Sequence, residues 1–103
     1  MIVKDWQGND INVAAYHSRY SHNGNLAIVL KTYEGEPWST WTVNLGDNLA
    51  EDYAFVDTNL NPDAEEFIKM YGLGEFTGAY GHSGFCTYPL YKFDPTKLGD
   101  LLW

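Results

Sequence analysis

Turn chemistry cuts this chain into short pieces, and nothing else in the sequence constrains its fold as much. Gln7-Gly8-Asn9-Asp10, Ser21-His22-Asn23-Gly24-Asn25, Glu34-Gly35-Glu36-Pro37 and Gly46-Asp47-Asn48 follow one another too closely to leave room for long helices. Glycine and asparagine tolerate the backbone angles that tight turns demand. The runs between them read as strands: Ile2–Lys4, Ile11–Tyr20, Leu26–Tyr33, Trp38–Leu45 and Tyr53–Val56. Leu26–Tyr33 is apolar on both faces, which places it centrally in a sheet. Trp38–Leu45 is the clearest strand, with Trp41, Val43 and Leu45 on one side and Thr40, Thr42 and Asn44 on the other.

One helix is predicted over residues 62–71. Asn61 is the expected N-cap and Pro62 the first helical residue. Asp63, Glu65 and Glu66 suit the positive end of the helix dipole. Ala64, Phe67, Ile68 and Tyr71 form one apolar stripe, and Gly72 stops the helix. A glycine-rich passage follows, then a last long strand over Phe85–Phe93. Pro89 lacks a donor, so that strand is expected at a sheet edge or with a bulge. Asp94-Pro95 ends it, and the tail from Leu98 to Trp103 is expected to dock as a helical turn. Consecutive strands joined by short turns pair antiparallel. The expected fold is a small α+β domain, an antiparallel sheet of five or six strands with one amphipathic helix packed on one face.

At 103 residues the chain is expected to be a single domain spanning 1–103. An aromatic content of 17% and a hydrophobic content of 45% belong to a chain that folds, since disordered chains lack both. The longest apolar run, Leu26-Ala27-Ile28-Val29-Leu30, falls far short of a membrane span. The N-terminal stretch MIVKDWQGND has no basic region followed by an apolar one. A single cysteine excludes an internal disulfide. The expectation is a cytoplasmic protein without a membrane partner.

The stretch Gly81-His82-Ser83-Gly84-Phe85-Cys86 gathers three chemically capable side chains. It fails as a nucleophile elbow, because the second glycine comes one residue early and a strand follows in place of a helix. Cys86 has possible partners in His17, His22 and His82, but a free cysteine in an apolar strand is usually a small buried hydrophobe. The histidine spacing matches no structural metal site. Glu65 and Glu66 diverge by about 100° on a helix and share no site. No phosphate-binding glycine motif occurs. The expected catalytic, metal and cofactor sets are therefore empty. The rival is a small-ligand binder or hydrolytic enzyme with a Cys-His arrangement.

Charge points elsewhere. Fourteen acids oppose six bases for a formal net of −8, and no base lies between Lys31 and Lys69. Binding a nucleic-acid backbone needs clustered Lys and Arg, so direct nucleic-acid binding is not expected. Asp47, Glu51 and Asp52 fall in one loop, and Asp57, Asp63, Glu65 and Glu66 in or before the helix start. A solvated acidic surface that aids solubility explains such a run. The sharper reading is a partner-binding face for a basic protein surface, with Tyr53 as its anchor. That partner is expected to be a nucleic-acid-binding protein.

Three stretches taken together, AAYHSRYSHNGNLAIVL, GEPWSTWTVNL and AFVDTNLNPDAEEFI with the following YGLGEFTG and GHSGFCTYPLYKFD, cover most of the chain. They resemble a family of short proteins, a domain of unknown function, from conjugative and other mobile elements of Firmicutes and Bacteroidetes. The resemblance carries no chemical role for any residue. It implies a genetic setting in which small acidic proteins block host defence, including anti-restriction and anti-CRISPR proteins, some of which mimic DNA with carboxylates.

Overall fold

The structure, a computed structural model, describes residues 1–100. Two antiparallel sheets hold eight of its strands, and one helix packs against them. The fold is mostly β, a correction to the expected α+β domain of five or six strands. The first sheet runs β1 (Ile2–Lys4), β2 (Asp10–Arg19), β3 (Leu26–Thr32), β4 (Pro37–Thr40). The second runs β5 (Thr42–Val43), β6 (Tyr53–Val56), β8 (Cys86–Phe93), β7 (Gly74–Ser83). β3 lies between β2 and β4, as its two-sided apolar sequence predicts.

Two departures account for the extra strands. The clearest predicted strand is split at Trp41, which belongs to neither sheet and ties both together. Its N–H donates to the Ile28 carbonyl of β3, and its carbonyl accepts from Asp57 N–H, just past β6. The indole is 2% exposed. Apolar and polar residues alternate in sequence straight through Trp41, so the pattern carries no sign of the change of sheet, although Trp41 and Thr42 are both buried. The second departure is the glycine-rich passage, which forms the ten-residue strand β7. Nearly all of it faces solvent, so it lacks the apolar alternation that reveals a half-buried strand.

Pro89 is accommodated without an edge position, because β8 is an inner strand. Phe93 N–H donates to the Asp52 carbonyl and Asp94 N–H to the Leu73 carbonyl, so odd residues of β8 turn to β6 and even ones to β7. Pro89 therefore faces β6, where the ladder ends at Phe55 and Leu90. The Val56 carbonyl takes Thr58 N–H instead. The expected bulge sits on the neighbouring strand, between Phe76 and Tyr80 of β7.

Helix α1 (Ala64–Met70) starts later than predicted, with Asp63 in place of Asn61 at its N-cap. The Asn61 side chain is engaged elsewhere: it accepts from Ser39 Oγ at 2.5 Å and donates to the Thr40 carbonyl at 2.9 Å, fixing the helix start to β4. Of the predicted stripe, Ala64 and Ile68 are buried, Phe67 is half-buried, and Tyr71 is 45% exposed. The core joins both sheets and the helix through Val13, Leu26, Ile28, Leu30, Trp41, Val56, Ile68 and Phe93. Each fully buried side chain of this kind contributes about 1.5–3 kcal/mol. After a short 3-10 turn at Pro95–Lys97, Gly99–Asp100 forms β9, parallel to β2 at Tyr16 and His17. The predicted helical turn is thus a strand in its described part, and the rest of that tail lies outside the described residues.

Candidate protein-binding surface

β6 sets the geometry of the acidic residues, because the two groups named from the sequence flank it. Asp47, Glu51 and Asp52 precede the strand, while Asp57, Asp63, Glu65 and Glu66 follow it. At about 3.3 Å per residue, Asp52 and Asp57 stand roughly 16 Å apart along the backbone. Asp52 and Asp57 therefore stand at the two ends of β6, while Glu65 is brought back beside its middle, on Tyr91, the partner of Ala54.

The first group is held by polar side chains from β2, its following loop and β8. Arg19 donates to the Glu51 carbonyl at 2.6 Å and reaches its carboxylate at 3.8 Å. Asn25, buried at 6% exposure, accepts from Leu49 N–H at 3.1 Å and donates to the Asp47 carbonyl at 2.5 Å. That amide fixes the loop from Asp47 to Leu49, and only backbone groups of Asp47 are used, so its carboxylate remains exposed. Asp52 shares a recess with Glu75 and Lys92, whose ammonium lowers the negative potential there. Tyr53 is half-buried and pairs with Lys92, so it offers a partly covered anchor.

In the second group Asp57 is withdrawn from the surface. It is 8% exposed, and its carboxylate accepts from Leu60 N–H at 3.1 Å, shaping the turn before the helix. Asp63 and Glu66 face solvent. The Glu65 carboxylate accepts from the Tyr91 hydroxyl at 2.5 Å. Burial, reinforced by Glu65, pushes the Tyr91 pKa well above the ordinary phenol value.

A recess the sequence grouping missed gathers further acids. Asp10, Glu34 and Glu36 line a space of about 500 Å³ together with Tyr33 and Trp38, whose rings are 68% and 37% exposed. Asp10 is engaged by Lys4. The signal in the sequence was the pairing of Tyr33-Glu34 with Glu36-Pro37-Trp38 across a turn, which closes carboxylates and rings onto one side. Carboxylates beside aromatic faces suit a Lys or Arg head group. Trp38 also borders a neighbouring recess of about 410 Å³ between β1 and the helix start.

The Cys-His constellation is not assembled. His82 pairs with Thr87 and Ser83 with Cys86, so the two side chains leave the hairpin on opposite faces. His82 Nδ1 meets Thr87 Oγ1 at 3.1 Å, while Cys86 lies against Asn59, 3.6 Å away. The Cys86 thiol, burial and the Asp57 charge raise the Tyr88 pKa. His17 sits in the first sheet opposite Ile28, and His22 is exposed in the loop after β2. Among the described residues, no three His, Cys, Asp or Glu side chains are grouped closely enough to hold a metal ion. No described helix is long and apolar enough to cross a membrane.

No curated protein and no solved structure matches the chain. A family model does match, over residues 16–102, and the chain belongs to that family, the domain of unknown function DUF4313.

Proposed function

We propose that this chain is a small acidic, non-enzymatic binding protein of a mobile element that acts in the cytoplasm by docking on a basic protein surface. The partner class is a host nucleic-acid-handling or defence protein, which the chain inhibits in the manner of anti-restriction or anti-CRISPR proteins.

The observation that carries this reading is uncompensated charge. The net charge is −8, yet only two ion pairs form among the described residues, Lys4–Asp10 and Arg19–Glu51. Self-repulsion of this kind weakens a compact fold, and a partner rich in Lys and Arg removes it on binding. The exposed carboxylates of Asp47, Glu51, Asp63 and Glu66, with the Glu34–Glu36 recess beside Trp38, offer several contact points to a cationic channel. Carboxylates in such an array can stand where phosphates of bound DNA stand. Long-range attraction would then set the association rate, which salt would depress.

The test is direct. Purified restriction and CRISPR nucleases are assayed for DNA cleavage with and without the chain, at low and moderate salt. Protection that weakens with salt supports the reading. No binding to any nucleic-acid-handling protein, combined with a small molecule seated in one of the recesses, would overturn it.

A further inference from the structure

Among the described residues β7 pairs only with β8, so its other edge is open, and the geometry of that edge is self-complementary. Even residues of β8 turn toward β7, so Gly81 and Ser83 exchange backbone bonds with Tyr88 and Cys86. Tyr80 and His82 lie opposite Pro89 and Thr87 in the alternate positions, so their N–H and C=O groups point outward. The turn at Gly84-Phe85 closes this segment at one end, and the bulge between Phe76 and Tyr80 closes it at the other.

We propose that a second copy of the chain pairs with this edge, antiparallel, about a two-fold axis through Gly81. In that register Tyr80 faces His82 of the other copy, and His82 faces its Tyr80. Four outward backbone groups on each copy then find partners at once. An axis through Tyr80 would set His82 against the bulge, and an axis through His82 would set Tyr80 against the turn, so neither completes the bonds. The axial position is the narrow one, with Cα atoms about 4.5 Å apart, and it is filled by a residue without a side chain. Tyr80 and His82 share one sheet face, so the pairing also joins a tyrosine ring to an imidazole across the interface twice.

Charge selects a copy of this acidic chain as a tolerable occupant here. Residues 76–91 contain no Asp, Glu, Lys or Arg. Glu75, at the start of β7, is carried by the antiparallel register to opposite ends of the joined strands. The paired strands themselves therefore bring no like charges together. Phe76, Tyr80 and Phe85, exposed at 44%, 57% and 109%, flank the edge and supply apolar surface to be covered. This pairing is independent of the proposed docking on a basic partner.

Sedimentation equilibrium of the full chain over a concentration series tests the pairing. The expected mass is double the 11.7 kDa chain at high concentration, falling to that value on dilution. Hydrogen exchange supplies a residue-level signature. The Tyr80 and His82 amides should slow as concentration rises, while the Gly81 amide is slow throughout. His82→Pro removes an outward N–H that is unused within one copy, together with the exposed bond to Thr87, and should abolish the doubling; His82→Ala, which loses that side-chain bond but keeps the N–H, should retain it. A single chain mass at every concentration overturns the proposal. So does a dimer in which the Tyr80 and His82 amides exchange freely. Protection of those amides only when a different protein is added would assign the edge to a foreign strand and overturn it as well.

Discussion

Gly81 lies against Phe55 so closely that a Cβ built on it would stand 2.6 Å from the ring and 2.7 Å from Leu45 Cδ1. Gly84, three residues on, has open space around it but adopts φ +60° in the hairpin turn. The two glycines thus serve different physical needs. Gly81→Ala is expected to cost about 1–3 kcal/mol through overpacking, and Gly84→Ala about 1–2 kcal/mol through backbone strain. Phe55→Leu should partly rescue the first, since Leu45 still crowds the site, and leave the second unchanged. Urea midpoints of the single and double variants check this, and equal rescue of both would sink the distinction.

The helix should be held mainly by Ile68. That side chain is fully buried, while Phe67 is half-buried and stacked between Trp41 and Tyr71 at 6.4 and 6.3 Å. Ile68→Ala is expected to cost about 2–5 kcal/mol. Phe67→Ala should fall below the roughly 3–5 kcal/mol typical of a fully buried phenylalanine. Chemical denaturation of both variants decides the order, and a larger loss at Phe67 would reverse the packing described here.

Tyr91 makes stability depend on alkaline pH. Its folded pKa is raised above the unfolded value near 10. A raised pKa stabilises fully below the unfolded value, and the contribution is lost as pH rises through the folded one. Unfolding free energy should therefore decline above about pH 10. Tyr91→Phe should show a shallower decline. Guanidinium titrations at several alkaline pH values would expose an identical slope in the two proteins as the failure of this prediction.

The acidic residues separate by role. Glu66→Gln should leave stability nearly unchanged, because its carboxylate is exposed. Glu65→Gln should lower stability as well as charge, because Glu65 accepts the Tyr91 hydroxyl. For a captured nuclease partner, neutralising Asp47, Glu51 and Asp52 together should slow association and flatten its salt dependence. Stopped-flow rates at several salt concentrations test this. An unchanged slope would leave that group with a role in solubility alone.

The sequence by itself determined the local elements. Turn residues placed the breaks after β1, β2 and β3, two-sided apolar character put Leu26–Thr32 inside a sheet, and Gly72 ended the helix. These are short-range consequences of backbone sterics and side-chain periodicity. Membership of a domain family of unknown function was legible too, in motifs spread from Ala14 to Leu98, and a family model matches residues 16–102. Tertiary structure decided what those rules cannot reach. It divided one alternating run between two sheets at Trp41, because alternation reports which side a residue faces and not which sheet it joins. It made a strand of the glycine-rich passage, because β7 is held by β8 and not by an apolar face of its own. It buried Asp57 at the far end of β6 from Asp52, gave Glu65 to Tyr91, and collected Glu34 and Glu36 beside Trp38. Charge can be counted along a chain, but its field depends on distances that only the folded backbone sets.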